Sequence, residues 1–247
     1  MEERKPVLTR LEEFQSILGT YKISDHAQKI LEQTKLVVMS GLSGSGRNAV
    51  INRLVELYGY FFIVSDTTRP PKMRNGQLEQ NGVHYFFRTE QEFLDDLKNG
   101  EFLEAEIIHD QQVSGVSIRE LENAGRSGKI AIHDFEYGGA NNVAHAKPDA
   151  HVIVLLPPSY NEWHERLVKR EVMSEGELRN RMKTAQKVIE NAFAKPNFKI
   201  VVNDDLETCV ETIHKIVIQN HYDEVDEQNG KKVAEEILEQ IKSELAA

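Results

Sequence analysis

One cysteine and one tryptophan stand among 247 residues, and no apolar run approaches the roughly 18 residues that a membrane-crossing helix needs. A lone Cys209 cannot close an internal disulfide, which suits a reducing compartment. It falls in a helix-patterned run with Leu206, Val210, Ile213, Ile216 and Val217, the setting of a core thiol rather than a nucleophile. The opening residues, M-E-E-R-K-P, hold no apolar segment of the kind a signal peptide carries, so a cytoplasmic location is expected. Positive charge is also short: 30 Lys and Arg against 40 Asp and Glu leave a formal charge of −10. That balance argues against nucleic acid as the main partner, although a nucleotide needs only a local cluster of arginines. The nine histidines are scattered, with no i, i+4 pair beside a carboxylate cluster, so no histidine metal site is expected. What remains, 40% hydrophobic and 28% charged residues, is an ordinary globular composition.

Strand-like and helix-like runs alternate along the chain. Strands are predicted at Leu36–Ser40, Tyr60–Ser65, Lys129–Phe135, Ala150–Leu156 and Lys199–Asn203, and helices at Asn48–Tyr58, Ser159–Arg170, Glu175–Ala194 and Asp205–Gln219. The run H-V-I-V-L-L is apolar at every second position and between, as a strand buried on both faces would be. The alternation predicts an α/β domain with a mainly parallel sheet, helices on both faces, and the ligand at the carboxyl ends of the strands. Residues 66–119 break the rhythm and read as a small mixed α/β insertion, while 171–176 lies between arginine-bearing helices and reads as a lid, about 166–181. Three segments are therefore expected: a helical extension over 1–34, the α/β domain over 35–220, and an acidic loop (222–230) with an amphipathic helix over 221–247. In the first, Leu8, Leu11, Phe14 and Leu18 share a helical face and Ser24 or Asp25 caps the next helix; in the last, Val233, Ile237, Ile241 and Leu245 form one stripe. Packing against the domain is the plain reading of both ends. A homodimer or protein-partner contact is the alternative.

Residues 36–50 read L-V-V-M-S-G-L-S-G-S-G-R-N-A-V, an apolar strand, a glycine-rich turn and a helix start. The pattern G-x-x-x-x-G-K-[ST] wraps phosphates in backbone N–H groups, reaches them with a lysine and holds Mg²⁺ with a hydroxyl. Gly41, Gly44 and Gly46 stand in place, with Ser43 and Ser45 between them, but Arg47 replaces the lysine and Asn48 the hydroxyl residue. A degenerate glycine turn alone would also fit a tight turn in any α/β protein.

The blocks S-D-T-T-R-P-P-K, N-G-V-H-Y, E-F-L-E-A-E, I-H-D-F-E-Y-G-G, L-L-P-P-S, R-L-V-K-R and V-V-N-D-D follow in one order. With them, Leu36 to about Gln219 resembles the guanylate kinase family and its P-loop nucleoside monophosphate kinase fold, over about three-quarters of the chain. The resemblance implies GMP and ATP as substrates, with Mg²⁺. It gives Ser65 as donor to the guanine O6 and Glu104 and Glu136 as acceptors for N1–H and N2–H₂, Glu136 standing where the family usually has aspartate. It gives Arg69 and Lys72 as the phosphate clamp, the latter without the fork of the usual arginine, and Tyr85 as a hydroxyl on the same phosphate. Ser114 and Val116 stand where the family has a tyrosine and a threonine. On the donor side it implies Arg170 and Arg181 closing over the triphosphate, Arg166 as a further matching arginine at the ATP, Asp134 orienting Mg²⁺-bound water, and Asn203 and Asp204 in the turn near the adenine. A helix cap at Asp204 or Asp205 would explain that turn equally, an exposed helix position Arg166, and a surface place on an edge strand Glu104.

Arg47 keeps the charge of the missing lysine on a larger planar head, and Asn48 offers Mg²⁺ a neutral carbonyl. Three outcomes follow from the pair: a slow GMP kinase, a kinase of altered specificity, or a nucleotide-binding protein without turnover, the last serving as a guanylate-kinase-like module for partner recognition or as a GTP or GMP sensor.

Overall fold

The structure, a computed structural model, describes residues 8–74, 76–170 and 173–246. In chain order the elements begin α1 (Leu11–Leu18), α2 (Asp25–Gln33), β1 (Leu36–Gly41), α3 (Arg47–Tyr58), β2 (Phe61–Phe62), β3 (Asp66–Thr67), β4 (Met73–Arg74) and β5 (Gln77–Leu78). They continue with β6 (Phe86–Phe87), α4 (Glu90–Lys98), β7 (Phe102–Ile108), β8 (Gln112–Ser117), α5 (Ile118–Arg126), β9 (Ala131–Asp134) and α6 (Tyr137–Ala146). The last are β10 (His151–Leu156), α7 (Tyr160–Arg170), α8 (Glu175–Phe193), β11 (Phe198–Val202), α9 (Leu206–Gln219) and α10 (Glu224–Ala246). No helix among the described residues is long and apolar enough to cross a membrane.

Two compact units form: Met1–Lys35 with Phe61–Ala131, and Leu36–Tyr60 with Ile132–Ala247. The second carries strands in the order β11–β10–β1–β9, with β1, β10 and β11 parallel and in register from Val37↔His151 and Val152↔Phe198. All six residues of β1 and five of the six in β10 are buried, which is why these segments read as continuous apolar runs. Helices α3, α6 and α8 pack on β1, and α9, which buries Val210, Ile213 and Val217, lies against α3. Each such aliphatic side chain contributes up to about 1.5–3 kcal/mol by leaving water. Cys209 is buried in this layer and its thiol is pushed up to about 12 by burial, as a core thiol should be.

The first unit holds a sheet of order β6–β3–β8–β7, parallel only between β3 and β6, with the β4–β5 hairpin apart from it. Helix α4 starts on a full capping box between Thr89 and Glu92. Asp66 is wholly buried and takes one arginine on each oxygen, Arg88 on Oδ2 and Arg119 on Oδ1, both at 2.7 Å. Burial pushes its carboxyl upward while the two arginines oppose that. Helix α1 lays Phe14 against Phe93 and Phe102, and α2 starts on Ser24, whose hydroxyl accepts from the Ala27 N–H. The N-terminal extension is thus part of this unit's core rather than a separate piece.

Several boundaries depart from the sequence reading. The strand expected over Tyr60–Ser65 shrinks to two residues. Helix α6 forms over Y-G-G-A-N-N, where paired glycines and asparagines hide the helix because their intrinsic propensity is poor. Helix α5 was also unforeseen, though Ser117 caps it and Ile118, Leu121 and Ala124 are its buried face. Most of the expected acidic loop is the first part of α10: Glu224, Asp226 and Glu227 sit at its positive end. The proposed lid loop lies partly outside the described residues, at 171 and 172.

Helix α10 buries Gly230, Val233, Ala234, Ile237 and Ile241, so its apolar stripe is used within its own unit. It meets β11 and α8, and Tyr222 fastens its start by donating to the Ile200 carbonyl at 2.6 Å. At Gly230 a Cβ would come within 2.2 Å of that same carbonyl oxygen. Gly230→Ala should therefore cost about 1–3 kcal/mol and lower the melting temperature by about 2–12 °C in a thermal scan; an unchanged melt would show that α10 does not hold this contact.

Candidate active site

Strand β1 ends at Gly41, and the chain turns through residues 42–46 before α3 begins. The glycines are demanded by backbone angle and by space. Gly41 (φ 140°) lies so close to β10 that a Cβ would sit 2.2 Å from the Leu155 carbonyl oxygen, and Gly46 (φ 92°) would meet Asn203 Nδ2 at 2.4 Å. Side chains from three elements fix the turn. Asn203 Nδ2 donates to the Ser45 carbonyl at 2.8 Å, Trp163 Nε1 to the Ser43 carbonyl at 2.9 Å, and Arg181 Nη1 to the Ser43 hydroxyl at 3.0 Å. The turn is therefore shaped before any ligand arrives. Among the described residues, Ser45 Oγ is one of two buried side-chain polar atoms without a hydrogen-bond partner.

Around this turn opens a cleft of about 720 Å³, within the range of small-molecule sites. Its polar wall is Ser43, Arg47, Asn48, Asp134, Arg166, Lys169 and Arg181. Four cations and one carboxylate face a single space in a chain whose net charge is −10, so the local field favours a polyanion. Arg166 and Lys169 are tethered to Glu162 and Glu165 at 3.1 and 2.9 Å, and the second pair holds the lysine above its ordinary range. Such exposed i, i+4 pairs contribute only about 0–1 kcal/mol, so a phosphate can displace them readily.

The two exchanged residues part company. Arg47 donates Nη1 to the Phe135 carbonyl at 3.2 Å and sets Nη2 3.9 Å from Glu136, while Asn48 is exposed at the cleft wall. Asp134, at the carboxyl end of β9, joins the same wall. Among the described residues no three His, Cys, Asp or Glu side chains stand close enough together to hold a metal ion on their own. Asn48 and Asp134 both bring side-chain oxygens to this wall, the donor type Mg²⁺ takes when phosphate and water complete its shell.

Of the residues expected on the donor side, Gly44, Gly46, Ser43, Arg47, Asn48, Asp134, Arg166 and Arg181 line one cleft. Gly41 and Asn203 shape the turn from behind, Asn203 through its side-chain amide. Asp205, not Asp204, caps α9. Arg170 closes α7, and its side chain lies outside the described residues. The sequence reading missed Lys169 and Trp163. The run R-L-V-K-R held the signal for the first, since positions 166 and 169 share a helix face.

Five of the six expected acceptor residues belong to the other unit. Arg69 is engaged: it forks onto Glu79 at 2.6 and 3.0 Å, and lies 4.7 Å from the Tyr85 ring centre. Glu79 also accepts the Lys72 backbone N–H at 3.0 Å, whereas the Lys72 side chain is exposed. The Arg69 fork drives the Glu79 carboxyl down to about 2. Ser65 accepts the Phe86 N–H at its carbonyl. Glu104 lies on β7 opposite Val116, and burial with Glu106 alongside pushes its carboxyl up to about 7. Glu136 stands in the unit that carries Arg47, at the N-cap of α6 and 72% exposed.

A family model described as guanylate kinase matches residues 33–220. The chain belongs to the guanylate kinase family. It is by class a nucleoside monophosphate kinase, a transferase. A guanylate kinase of Corynebacterium glutamicum is 36% identical over 187 residues, 74% of this chain and 95% of that one. Guanylate kinase 1 of Oryza sativa subsp. japonica is 32% identical over 237 residues, 93% of this chain, which spans 61% of the rice protein. The crystal structure of guanylate kinase from Anaplasma phagocytophilum aligns with a TM-score of 0.54 at 25% identity, over 82% of this chain and 93% of that one.

The Glu79 pairing has a pH signature. A carboxyl held near 2 stabilises the fold fully above about 4.5, its unfolded value, and that contribution fades as pH falls through 2. Glu79→Gln should remove that acid-side loss and, by stranding Arg69, cost on the order of 3 kcal/mol at neutral pH in denaturant unfolding. A variant with the wild-type acid profile would refute the pairing.

Proposed function

We propose that this protein transfers the γ-phosphoryl group of ATP to GMP or dGMP, giving ADP and the corresponding diphosphate. The observation that carries the reading is the cationic cleft around the glycine turn, with Arg47, Arg166, Lys169 and Arg181 about one space. In the reaction an oxygen of the GMP phosphate bonds to the γ-phosphorus as the bond from that phosphorus to the β–γ bridging oxygen breaks, and ADP leaves with the electron pair. The phosphate nucleophile is already anionic, so positioning and charge stabilisation are what the chain must supply. Arg181, held at Ser43 beside the turn, is assigned to the transferring group, with Arg166 and Arg170 as partners on α7. Mg²⁺, when bound, would neutralise phosphate charge; Asn48 would hold it and Asp134 would orient its bound water.

On the acceptor side, Arg69 and Tyr85 are assigned to the GMP phosphate, with Lys72 as a point charge. The Arg69 fork is preformed on Glu79 and would exchange or share that partner. Ser65, Glu104 and Glu136 are assigned to the guanine edge. Adenine presents donors and acceptors in the wrong order and would leave buried carboxylates unpaired, a discrimination on the order of 10⁴.

A second reading is favoured by one observation: the Arg47 fork already spends a donor on the Phe135 carbonyl, and Asn48 brings no hydroxyl. On that reading the chain binds nucleotides with little or no turnover. Partner recognition through the terminal helices has less support, because the apolar faces of α1 and α10 are used within their own units.

Steady-state ADP release with ATP, Mg²⁺ and each of GMP, dGMP, AMP, UMP and CMP tests the proposal. Stimulation by GMP and dGMP alone is expected, with Arg181→Ala lowering kcat by about 10²–10³ and Arg47→Lys raising it by about tenfold. GMP binding without ADP release would favour the second reading. Guanine recognition also carries a pH test, read with guanosine so that no phosphate titrates. Glu104 must be ionised to accept from N1–H and N2–H₂, so affinity should rise on the order of tenfold from pH 6 to 8 through its value near 7. The same ionisation costs the free fold stability over that rise, because the folded value lies above the unfolded one. A flat guanosine profile would remove Glu104 from the guanine edge.

A further inference from the structure

Strand β7 contains an irregularity whose position bears on guanine recognition. Its register with β8 runs Phe102↔Ser117 and then Glu104↔Val116, so an extra residue is accommodated between them. A regular strand would put Phe102 and Glu104 on one face, two residues apart. Phe102 lies in an apolar cluster with Leu8, Phe14, Phe93 and Leu97, and the later β7 residues packed on that cluster are Ala105 and Ile107. The spacing 102, 105, 107 shows the parity switching at the irregularity. Glu104 is thereby turned off the apolar face, where a carboxylate would otherwise be buried among phenylalanines.

At this point the Glu101 carbonyl accepts the Ile118 N–H at 2.9 Å, so Phe102 turns its own N–H and carbonyl away from β8, to the open edge of the sheet. Here a single side chain takes both: the Phe102 N–H donates to the Tyr21 hydroxyl at 2.8 Å, and that hydroxyl donates to the Phe102 carbonyl at 2.7 Å. Burial pushes the Tyr21 phenol up to about 12, so it stays protonated and able to donate at any working pH. Nearby anchors hold Tyr21 in place. Ser24 N–H donates to the Gly100 carbonyl at 3.0 Å, Leu8 N–H to the Asp110 carbonyl at 3.1 Å, and Thr9 reaches Glu90 by both its N–H and its hydroxyl at 3.0 and 2.9 Å. From the β8 side the fit is tight, since a Cβ on Gly115 would fall 2.7 Å from the Glu104 carbonyl oxygen. Tyr21 lies before residue 33, where the family match starts.

We infer that Tyr21 is a positioning residue for guanine recognition: its hydroxyl holds the β7 irregularity that faces Glu104 away from the apolar cluster, which gives the N-terminal extension a part in acceptor selection. The inference rests on the assignment of Glu104 to the guanine edge. Tyr21→Phe keeps the ring and removes only the hydroxyl, so the full-length variant should fold.

Two readouts separate the inference from the functional reading. In the free protein, the Glu104 carboxyl followed by carbon NMR should titrate about one pH unit lower in Tyr21→Phe than in the wild type, as water reaches a loosened strand. By calorimetry, Kd for GMP should rise about tenfold, Kd for IMP, which lacks the 2-amino group, by less, and Kd for ATP by under twofold. In a Glu104→Gln background the substitution should have no further effect on GMP. An unchanged Glu104 titration with an unchanged preference for GMP over IMP overturns the inference, as does a loss that simply adds to that of Glu104→Gln. If the wild type does not bind GMP, the functional reading falls, while the titration still judges Tyr21. Should Tyr21→Phe fail to fold, Glu90→Ala unlatches the same segment from its outer end; a threefold loss in GMP affinity is expected there, and none overturns the inference.

Discussion

The close approach of the glycine turn to its neighbouring strands is the constraint on which the rest depends. At Gly41 the backbone passes β10 with no room for a methyl group, and at Gly46 the side-chain amide of Asn203 occupies the place where one would be. Because of that approach, the end of β11 can tie the Ser45 carbonyl and α7 and α8 can tie Ser43 on its two polar groups. Helices α7 and α8 also carry three of the cleft's four cations, and the fourth, Arg47, opens α3 directly after the turn. Moving the turn outward by the width of a side chain would break the ties and scatter Arg47, Arg166, Lys169 and Arg181 together.

Charge is treated differently in the two units. Around the donor cleft the cations rest on weak, exposed carboxylate pairs that a polyphosphate can displace at little cost. In the other unit the arginines are committed. Asp66 consumes one donor group each from Arg88 and Arg119 in a buried site, and Glu79 takes the whole fork of Arg69. Removing either carboxylate would strand buried positive charge, so these groups order the sheet and the turn as well as offering charge to a ligand.

How much was legible in the sequence follows from what kind of signal each part leaves. Strand β1, the turn and α3 were readable because apolar continuity, glycine placement and helix periodicity agree over one short stretch. Cys209 was readable as core for the same reason. Helix α6 was not, since Gly138, Gly139, Asn141 and Asn142 oppose helix locally and tertiary packing overrides them. Glu79 and Trp163 left no local trace: their partners, Arg69 and the Ser43 carbonyl, are ten and one hundred and twenty positions away. The acidic stretch before α10 misled because charge density resembles a loop until the helix end it stabilises is known. The parity switch in β7 was hidden too, as F-L-E-A-E-I-I reads equally well as plain alternation.

The chain contains a single tryptophan, and that indole is buried with its N–H bonded to the turn that forms the floor of the cleft. Its emission is therefore an intrinsic optical gauge of that turn alone, free of background from any second indole. Occupancy of the cleft can be followed in real time on the unlabelled protein by fluorescence.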